Sequence, residues 1–404
     1  MPNTSVARRF ILPVLSMAAA IAGPSAARDS APRYRVTVYP PIAGFESAYP
    51  SALTPSGNIV GQASPEPFHP QSIAVMTNEG ALTELPSDSD SFNQAFGAGA
   101  GGLVVGMANF APWAWLEGAE APLMPLPGYL HGIAWDANDS GLIVGNHIND
   151  LFGLDIPVYW PAVDAEAVEL PFPGGVGGSG GAAFAVNRAG EIAGIAAPTG
   201  FFQAVRWDDV RSNPVTIGPL PGAVGGEARA INDLGDIAGR STFPDLSVRA
   251  MLHKRLENEV VDIGALAGSF AEALGINDAR QVVGASSTDT VAHGLLWEAG
   301  VLYDLNDLVV ATNERFLYIS KAVDIDNAGR IAAEVVVGTK LDGARRIALL
   351  ERCQAADLDC DDAVNGADLG ILLGQWGAVG DADLDGDGTV NGADLGVLLG
   401  AWTG

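Results

Sequence analysis

The chain has 404 residues, a formal charge of −27 and 51 glycines, and 48% of its residues are apolar. That apolar content argues against disorder and suffices for one large β domain or two ordinary domains. An acidic excess of this size argues against nucleic acid and anionic membrane surfaces as partners and favours cations.

At the N-terminus, Arg8 and Arg9 precede an apolar run over 10–22, and small residues follow with an A-x-A-like site over 25–27. This pattern predicts a signal peptide over 1–27, cut near Ala27. The apolar run, interrupted by Pro13, falls short of the roughly 20 residues that a membrane helix needs. The expected mature protein is secreted, extracellular or at the cell surface, with no membrane span.

Between 34 and 350 one phrase returns seven times. The clearest copies are AINDLGDIAG at 230–239 and GINDARQVVG at 275–284; the others begin near 53, 98, 136, 185 and 324, with a period of 39 to 49 residues. Each joins a short apolar strand to a β-branched one through an Asn/Asp/Gly turn, which is a hairpin signal. A third strand follows, ending in an aromatic such as Trp160, Trp207 or Trp297, and then a fourth closed by glycine or proline. Four strands per unit of this length is the size of a β-propeller blade.

The seventh unit lacks a fourth strand, whereas the alternating YRVTVY at 34–39 stands unpaired at the other end. A ring whose last blade borrows the N-terminal strand has no exposed edge. The prediction is an all-β, seven-bladed propeller over 34–350, with a β-solenoid as the alternative arrangement. The repeated phrase resembles the bacterial extracellular HAF repeat, a resemblance that implies export and a repeat architecture without a defined activity.

Little in the repeats points to catalysis. Asn138-Asp139, Asn232-Asp233 and Asn277-Asp278 recur as turn-forming residues do. His69, His131, His147, His253 and His293 fall in different units without metal-site spacing. Glycoside hydrolysis needs only two suitably spaced carboxylates, and loop residues such as Asp150, Asp155 and Glu166 offer candidates. No nucleophile elbow appears, and GGVGGSGG at 174–181 lacks the lysine of a phosphate loop and reads as a linker between blades three and four. The recurring tryptophans read as blade packing.

From 353 to 404 there are ten aspartates and no lysine or arginine, which marks a domain boundary. The segments 356–376 and 382–402 match at 16 of 21 positions. Against the calcium-loop template the second copy places Asp383, Asp385 and Asp387 at positions 1, 3 and 5, Gly388 at 6, the Thr389 carbonyl at 7, Asn391 at 9 and Asp394 at 12. The first supplies Asp357, Asp359, Asp361, the Ala363 carbonyl, Asn365 and Asp368, but Asp362 stands where glycine belongs, so this loop is expected to bind more weakly.

Behind each loop a helix places Leu369, Leu372, Leu373 and Trp376, repeated as Leu395, Leu398, Leu399 and Trp402, on one stripe, which predicts that the two helices pack on each other. Glycines 366, 370 and 374, echoed at 392, 396 and 400, allow either close helix packing or a smooth docking strip. Cys353 and Cys360, seven apart, either close a small disulfide loop or stand as two separate thiols.

The duplicated loop and helix, with aspartate at position 12, resemble a type I dockerin over 357–402. The resemblance implies a small all-α domain over 353–404 holding two Ca2+ ions and docking to a cohesin-like or cell-surface partner. Gly366-Ala367 and Gly392-Ala393 stand where cellulosomal dockerins often carry a Ser/Thr pair before the final aspartate. The functional expectation is a non-enzymatic docking protein whose propeller presents a surface to an extracellular glycan or protein. The alternative is a polysaccharide-degrading hydrolase of O-glycosyl bonds, or its accessory subunit, with acids at the propeller mouth.

Overall fold

Each repeated phrase folds as a hairpin whose turn is closed by its own asparagine. In the copy at 230–239, the Asn232 side-chain oxygen accepts from the amides of Leu234 at 3.1 Å and Asp236 at 2.9 Å, and Gly235 takes a φ of +78°. An Asx turn and a glycine together make such a reversal without strain. The computed structural model describes residues 31–404 apart from 68, 70, 88–91, 149–154, 172–179, 198–201 and 339–342. The expected signal peptide, Asp150 and most of the 174–181 linker lie outside the described residues.

Seven sheets follow one another around a ring. Six are four-stranded meanders in chain order, at 47–84, 93–122, 131–169, 181–216, 225–264 and 271–304. The seventh has five strands, in the order Val309–Thr312, Tyr34–Val38, Ala344–Arg352, Ile331–Val337 and Tyr318–Ile325. Seven blades are therefore present, the N-terminal strand takes the fourth place predicted for it but is not outermost, and the solenoid alternative is excluded. The fifth strand, Val309–Thr312, was not foreseen.

Ring closure depends on a five-residue strand held on both edges. Tyr34–Val38 pairs antiparallel with Ala344–Arg352, from Tyr34 opposite Arg352 to Val38 opposite Ala348, and parallel with Val309–Thr312. Asn313 extends the hold: its oxygen accepts from Val38 N at 2.8 Å and its amide donates to Val38 O at 3.1 Å. Tyr34, Val36 and Val38 are buried with Leu305, Ile319 and Leu350. Burial of such side chains contributes about 1.5–3 kcal/mol each. At the seam, Ala48, Ile59 and Val75 of the first blade share a core with Val323, Ala332 and Ile347 of the last.

The glycine that ends the phrase has a packing reason. An added Cβ at Gly61, Gly106, Gly145, Gly194, Gly239 or Gly284 would overlap a carbonyl oxygen of the paired innermost strand. Beside each of these glycines the innermost strand carries a β-bulge, an extra residue that locally increases twist. The last blade alone has alanine there, Ala333, and its strand pair shows a second irregularity between Ile319 and Lys321. The bulged residues are Ser51, Phe96, Trp135, Phe184, Arg229, Leu274 and Val323. Four of them touch in series: Phe96 and Trp135 at 4.7 Å, Trp135 and Phe184 at 5.5 Å, and the Arg229 guanidinium 4.6 Å from the Phe184 centroid.

The asparagine does more than turn the chain. Asn138 donates to Asn187 O at 2.9 Å, Asn187 to Asn232 O and Asn232 to Asn277 O at 3.0 Å each, and Asn277 to Asp326 O at 2.9 Å. An outer rail runs parallel, with Asp233 N donating to Asp278 and Asp278 N to Asn327. Successive blades are thus linked side chain to backbone around one end of the channel. Asn232→Ala leaves the amides of Leu234 and Asp236 unpaired and removes one of the two hydrogen bonds at the Asn277 carbonyl, which keeps Arg280 N; it should cost about 2–3 kcal/mol. Asp233→Ala, at a more exposed site, should cost well under half of that. Chemical denaturation midpoints of the full-length variants check the ranking, which equal losses would contradict.

Candidate functional site: two acidic loops and a channel mouth

The C-terminal module is two copies of an acidic loop leading into a short helix, α1 at Gly366–Gly374 and α2 at Gly392–Gly400. Each helix starts with a capping box: Asn365 with Asp368, and Asn391 with Asp394. Such a box satisfies two otherwise free amides reciprocally.

In the second loop one oxygen from each of Asp383, Asp385 and Asp387 comes within 4.8 Å of the others, and Asp357, Asp359 and Asp361 do the same in the first. The six carboxylates predicted at positions 1, 3 and 5 are therefore brought together in two triads. The position 12 acids serve differently. Asp394, fully buried, accepts from Leu384 N at 2.6 Å and Asp385 N at 3.0 Å on one oxygen and from Asn391 N at 2.7 Å on the other; Asp368 does likewise with Leu358, Asp359 and Asn365. Burial raises the Asp394 carboxyl, but these amides outweigh it and hold it below the usual range. Asn391 donates to Thr389 O at 2.8 Å, and Asn365 to Ala363 O at 3.4 Å.

One carboxylate oxygen per loop, on Asp359 and on Asp383, is buried without a hydrogen-bond partner. A buried acceptor left unpaired is costly. An all-oxygen donor set around such an atom suits a hard divalent cation. The Asp359 carboxyl is pushed up by burial and then by Asp368, Asp361 and Asp357, as expected where like charges converge.

Both loops need two left-handed residues. The second uses Gly386 and Gly388, with φ of 73° and 94°; the first uses Cys360 and Asp362, with φ of 58° and 73°. The Asp362 substitution thus sits in the strained position anticipated for it, and it pairs with Arg35. Cys353 and Cys360 form a disulfide.

Two helix expectations need correction. The leucine stripe divides: Leu372 and Leu398 are fully buried and Leu369 and Leu395 pack beside them, whereas Leu373 (52% exposed), Trp376 (49%), Leu399 (52%) and Trp402 (40%) face outward. A nine-residue helix crossing its partner covers only the i and i+3 rows, so the i+4 and i+7 positions remain outside. The six glycines do not mediate close packing either, because an added Cβ at any of them would meet open space.

At the propeller, a cavity of about 440 Å³ opens at the asparagine-ladder end of the channel and is lined by the repeat turns together with Asp136, Asp324, Arg188 and Arg330. Asp136 and Asp324 occupy the same place after the bulge, where the other blades carry Ala52, Gly97, Ala185, Ala230 and Gly275. Each reaches across to the next blade: Asp136 accepts from Val186 N at 2.9 Å and Asp324 from Leu53 N at 2.8 Å. Burial pushes Asp136 up to about 7 and Asp324 up to about 6, against their amide hydrogen bonds. Comparing each unit with its neighbours, position by position, could have found them in the sequence.

Among the candidate loop acids, Glu166 bridges to Met124 away from the cavity, and the side chain of Asp155 is outside the described residues. His147 and His253 are buried and lowered by burial, and the ring nitrogen of His293 meets Asp304 at 2.6 Å. No histidine cluster that would hold a metal occurs among the described residues. Trp160 and Trp207 are fully buried, each donating to a carbonyl of the preceding connection, Met124 O at 2.8 Å and Pro171 O at 2.7 Å. This is blade packing, as expected.

The raised carboxyls have a stability consequence. An aspartate held at about 7 when folded and near 4 when unfolded contributes its full stabilisation below about pH 4 and loses it as pH rises toward 7. Asp136→Ala installs the alanine that three of the other blades carry and should gain in thermal midpoint relative to the native chain between pH 5 and pH 8. A pH-independent difference would contradict the assignment.

No family model matches the chain, and no curated protein does. Solved structures match in fold. An oligogalacturonate lyase from Vibrio parahaemolyticus aligns at 12% identity with a TM-score of 0.51, over 78% of this chain and 91% of that one. The extracellular domain of a putative hybrid two component system from B. thetaiotaomicron aligns at 6% identity and 0.46, over 78% and 39%. TolB from Acinetobacter baumannii aligns at 11% and 0.42, over 61% of this chain and 62%, less than two thirds, of its own. At such identities the likeness to the lyase is one of propeller fold alone.

Proposed function

We propose that the chain is an exported docking protein: a propeller carried on a calcium-dependent, dockerin-like module that attaches it to a cohesin-like or cell-surface partner. The observation that carries this reading is the duplicated triad, each with a buried, unpartnered oxygen, on Asp359 and Asp383. Calcium would be held by Asp357, Asp359 and Asp361 with Ala363 O, and by Asp383, Asp385 and Asp387 with Thr389 O; Asn365 and Asn391 brace the loops by accepting from the first helical amides, and Asp368 and Asp394 brace them while each keeps a lone pair on the oxygen that accepts a single amide. Bound calcium neutralises converging carboxylates, so binding energy becomes folding energy for the module. The outward pairs Leu373 with Trp376 and Leu399 with Trp402, beside open glycine strips, offer an apolar face to a protein partner. The disulfide fits an oxidising compartment, and no helix among the described residues is long and apolar enough to cross a membrane.

A second reading, hydrolysis of an extracellular polysaccharide at the channel mouth, is favoured by one observation: Asp136 and Asp324 break the repeat inside a cavity. Reducing-sugar release that disappears in Asp136→Asn would support it, and none across a polysaccharide panel would dismiss it.

Calorimetry of the full chain should count two calcium ions, with Asp383→Ala losing more affinity than Asp357→Ala because the second loop is relieved by glycine. The reverse order would contradict the ranking. Leu399→Glu with Trp376→Glu should leave both ions bound and abolish calcium-dependent capture of the partner from the native envelope; capture that persists would move the docking face elsewhere.

A further inference from the structure

The two loops share a backbone but not an attachment. At the positions where the second loop places Gly386 and Gly388, the first accepts L-residues in the left-handed region, Cys360 and Asp362. Such residues persist where surrounding structure holds them, and both are held from outside the loop. Cys360 is bonded to Cys353, the residue directly after the strand Ala344–Arg352. Asp362 pairs with Arg35 of the ring-closing strand, and Arg35 is held from its other side by Glu351 at 3.2 Å.

The contact continues one residue upstream. Arg33 accepts from Cys353 N at 2.9 Å through its carbonyl and donates from its guanidinium to Gln354 O at 3.4 Å and to Ala355 O. Among the described residues, no hydrogen bond, ion pair or disulfide joins 383–394 to the propeller.

We infer that the first loop is an interdomain clamp seated on the strand that closes the propeller, whereas the second loop carries no such tether. At the two positions where the second loop has glycine, the first has a residue that serves as a tether. The disulfide fixes the loop to the end of the last blade, and Asp362 sets its register against Arg35. The pair is partly exposed, Asp362 at 73% of its side chain, so the covalent link is the stronger of the two. Ordering of the first loop is thereby passed to Tyr34–Val38. With the loops read as calcium sites, on which this last step rests, calcium protects ring closure through the first loop only.

The test uses full-length protein and hydrogen exchange at 34–38, with the strand Val282–Ser287 as internal control, in EDTA and in calcium. The triple variant Cys353→Ser, Cys360→Gly, Asp362→Gly rebuilds the first loop in the image of the second. It should exchange at 34–38 about fivefold faster or more in EDTA while the control strand is unchanged, a shift on the scale of one lost tether or greater. Calcium should slow exchange at 34–38 in the native chain and leave the variant unaffected, although calorimetry still counts two ions in both. Arg35→Met, which keeps the aliphatic stem, should move 34–38 in the same direction by less. Unchanged exchange at 34–38 in both variants in EDTA would overturn the clamp. A native chain that takes up no calcium would defeat the reading of the loops, and the EDTA comparison would then decide the clamp by itself.

Discussion

The molecule depends on a strand of five residues. Tyr34–Val38 lies between Ala344–Arg352 and Val309–Thr312 and leaves no edge of itself unpaired. A propeller blade buries its faces on its neighbours, so a ring opened at one seam exposes two blade faces. The seam has further locks: Leu53 N donates to Asp324, and the Arg330 guanidinium lies over Gly57, where an added Cβ would displace it. The C-terminal module is held through Arg35 of the same strand and Arg33 just before it, so closure of the ring and seating of the module are coupled.

The repeat separates what the ring needs from what it leaves open. The asparagine serves twice, closing its own turn and donating to a carbonyl of the next blade, and the final glycine is required because a bulge brings a carbonyl against it. The bulged residue itself is unconstrained by either rule. It ranges from Ser51 to Trp135 to Arg229, and the four from Phe96 to Arg229 form a contiguous track. Residues that recur hold the ring; chemistry specific to this chain is found where the repeat is broken, at Asp136, Asp324 and the bulges.

Much of the architecture was legible because local patterns dictated it. Seven turn phrases, aromatic-ended strands and an unpaired alternating segment at 34–39 were enough to predict the blade count and the closing strand. The acidic triads were equally visible, since their spacing of two is a local property. What escaped was non-local. The Asn232 to Asn277 bond joins residues 45 apart and Arg35 to Asp362 spans 327, and no window of sequence holds both partners. The strand Val309–Thr312 has only four residues and forms because Tyr34–Val38 is there to pair with it. The leucine stripe was read too broadly: helical spacing gives a face, but the crossing of α1 and α2 decides how much of it is covered. The C-x6-C spacing fitted two readings until the backbone brought the Cα atoms to 5.3 Å.

Calcium-dependent docking, and the reach of calcium to the ring through the first loop, both require the duplicated loops to be cation sites; the tethers of the first loop do not. A crystal structure of the full chain grown in calcium decides whether they are. If they are, each loop shows one strong density peak, bonded by Asp357, Asp359 and Asp361 in the first and by Asp383, Asp385 and Asp387 in the second, at about 2.3–2.6 Å from their oxygens. Loops that remain without density, or that hold only water at hydrogen-bond distance, would contradict the reading of the loops as cation sites.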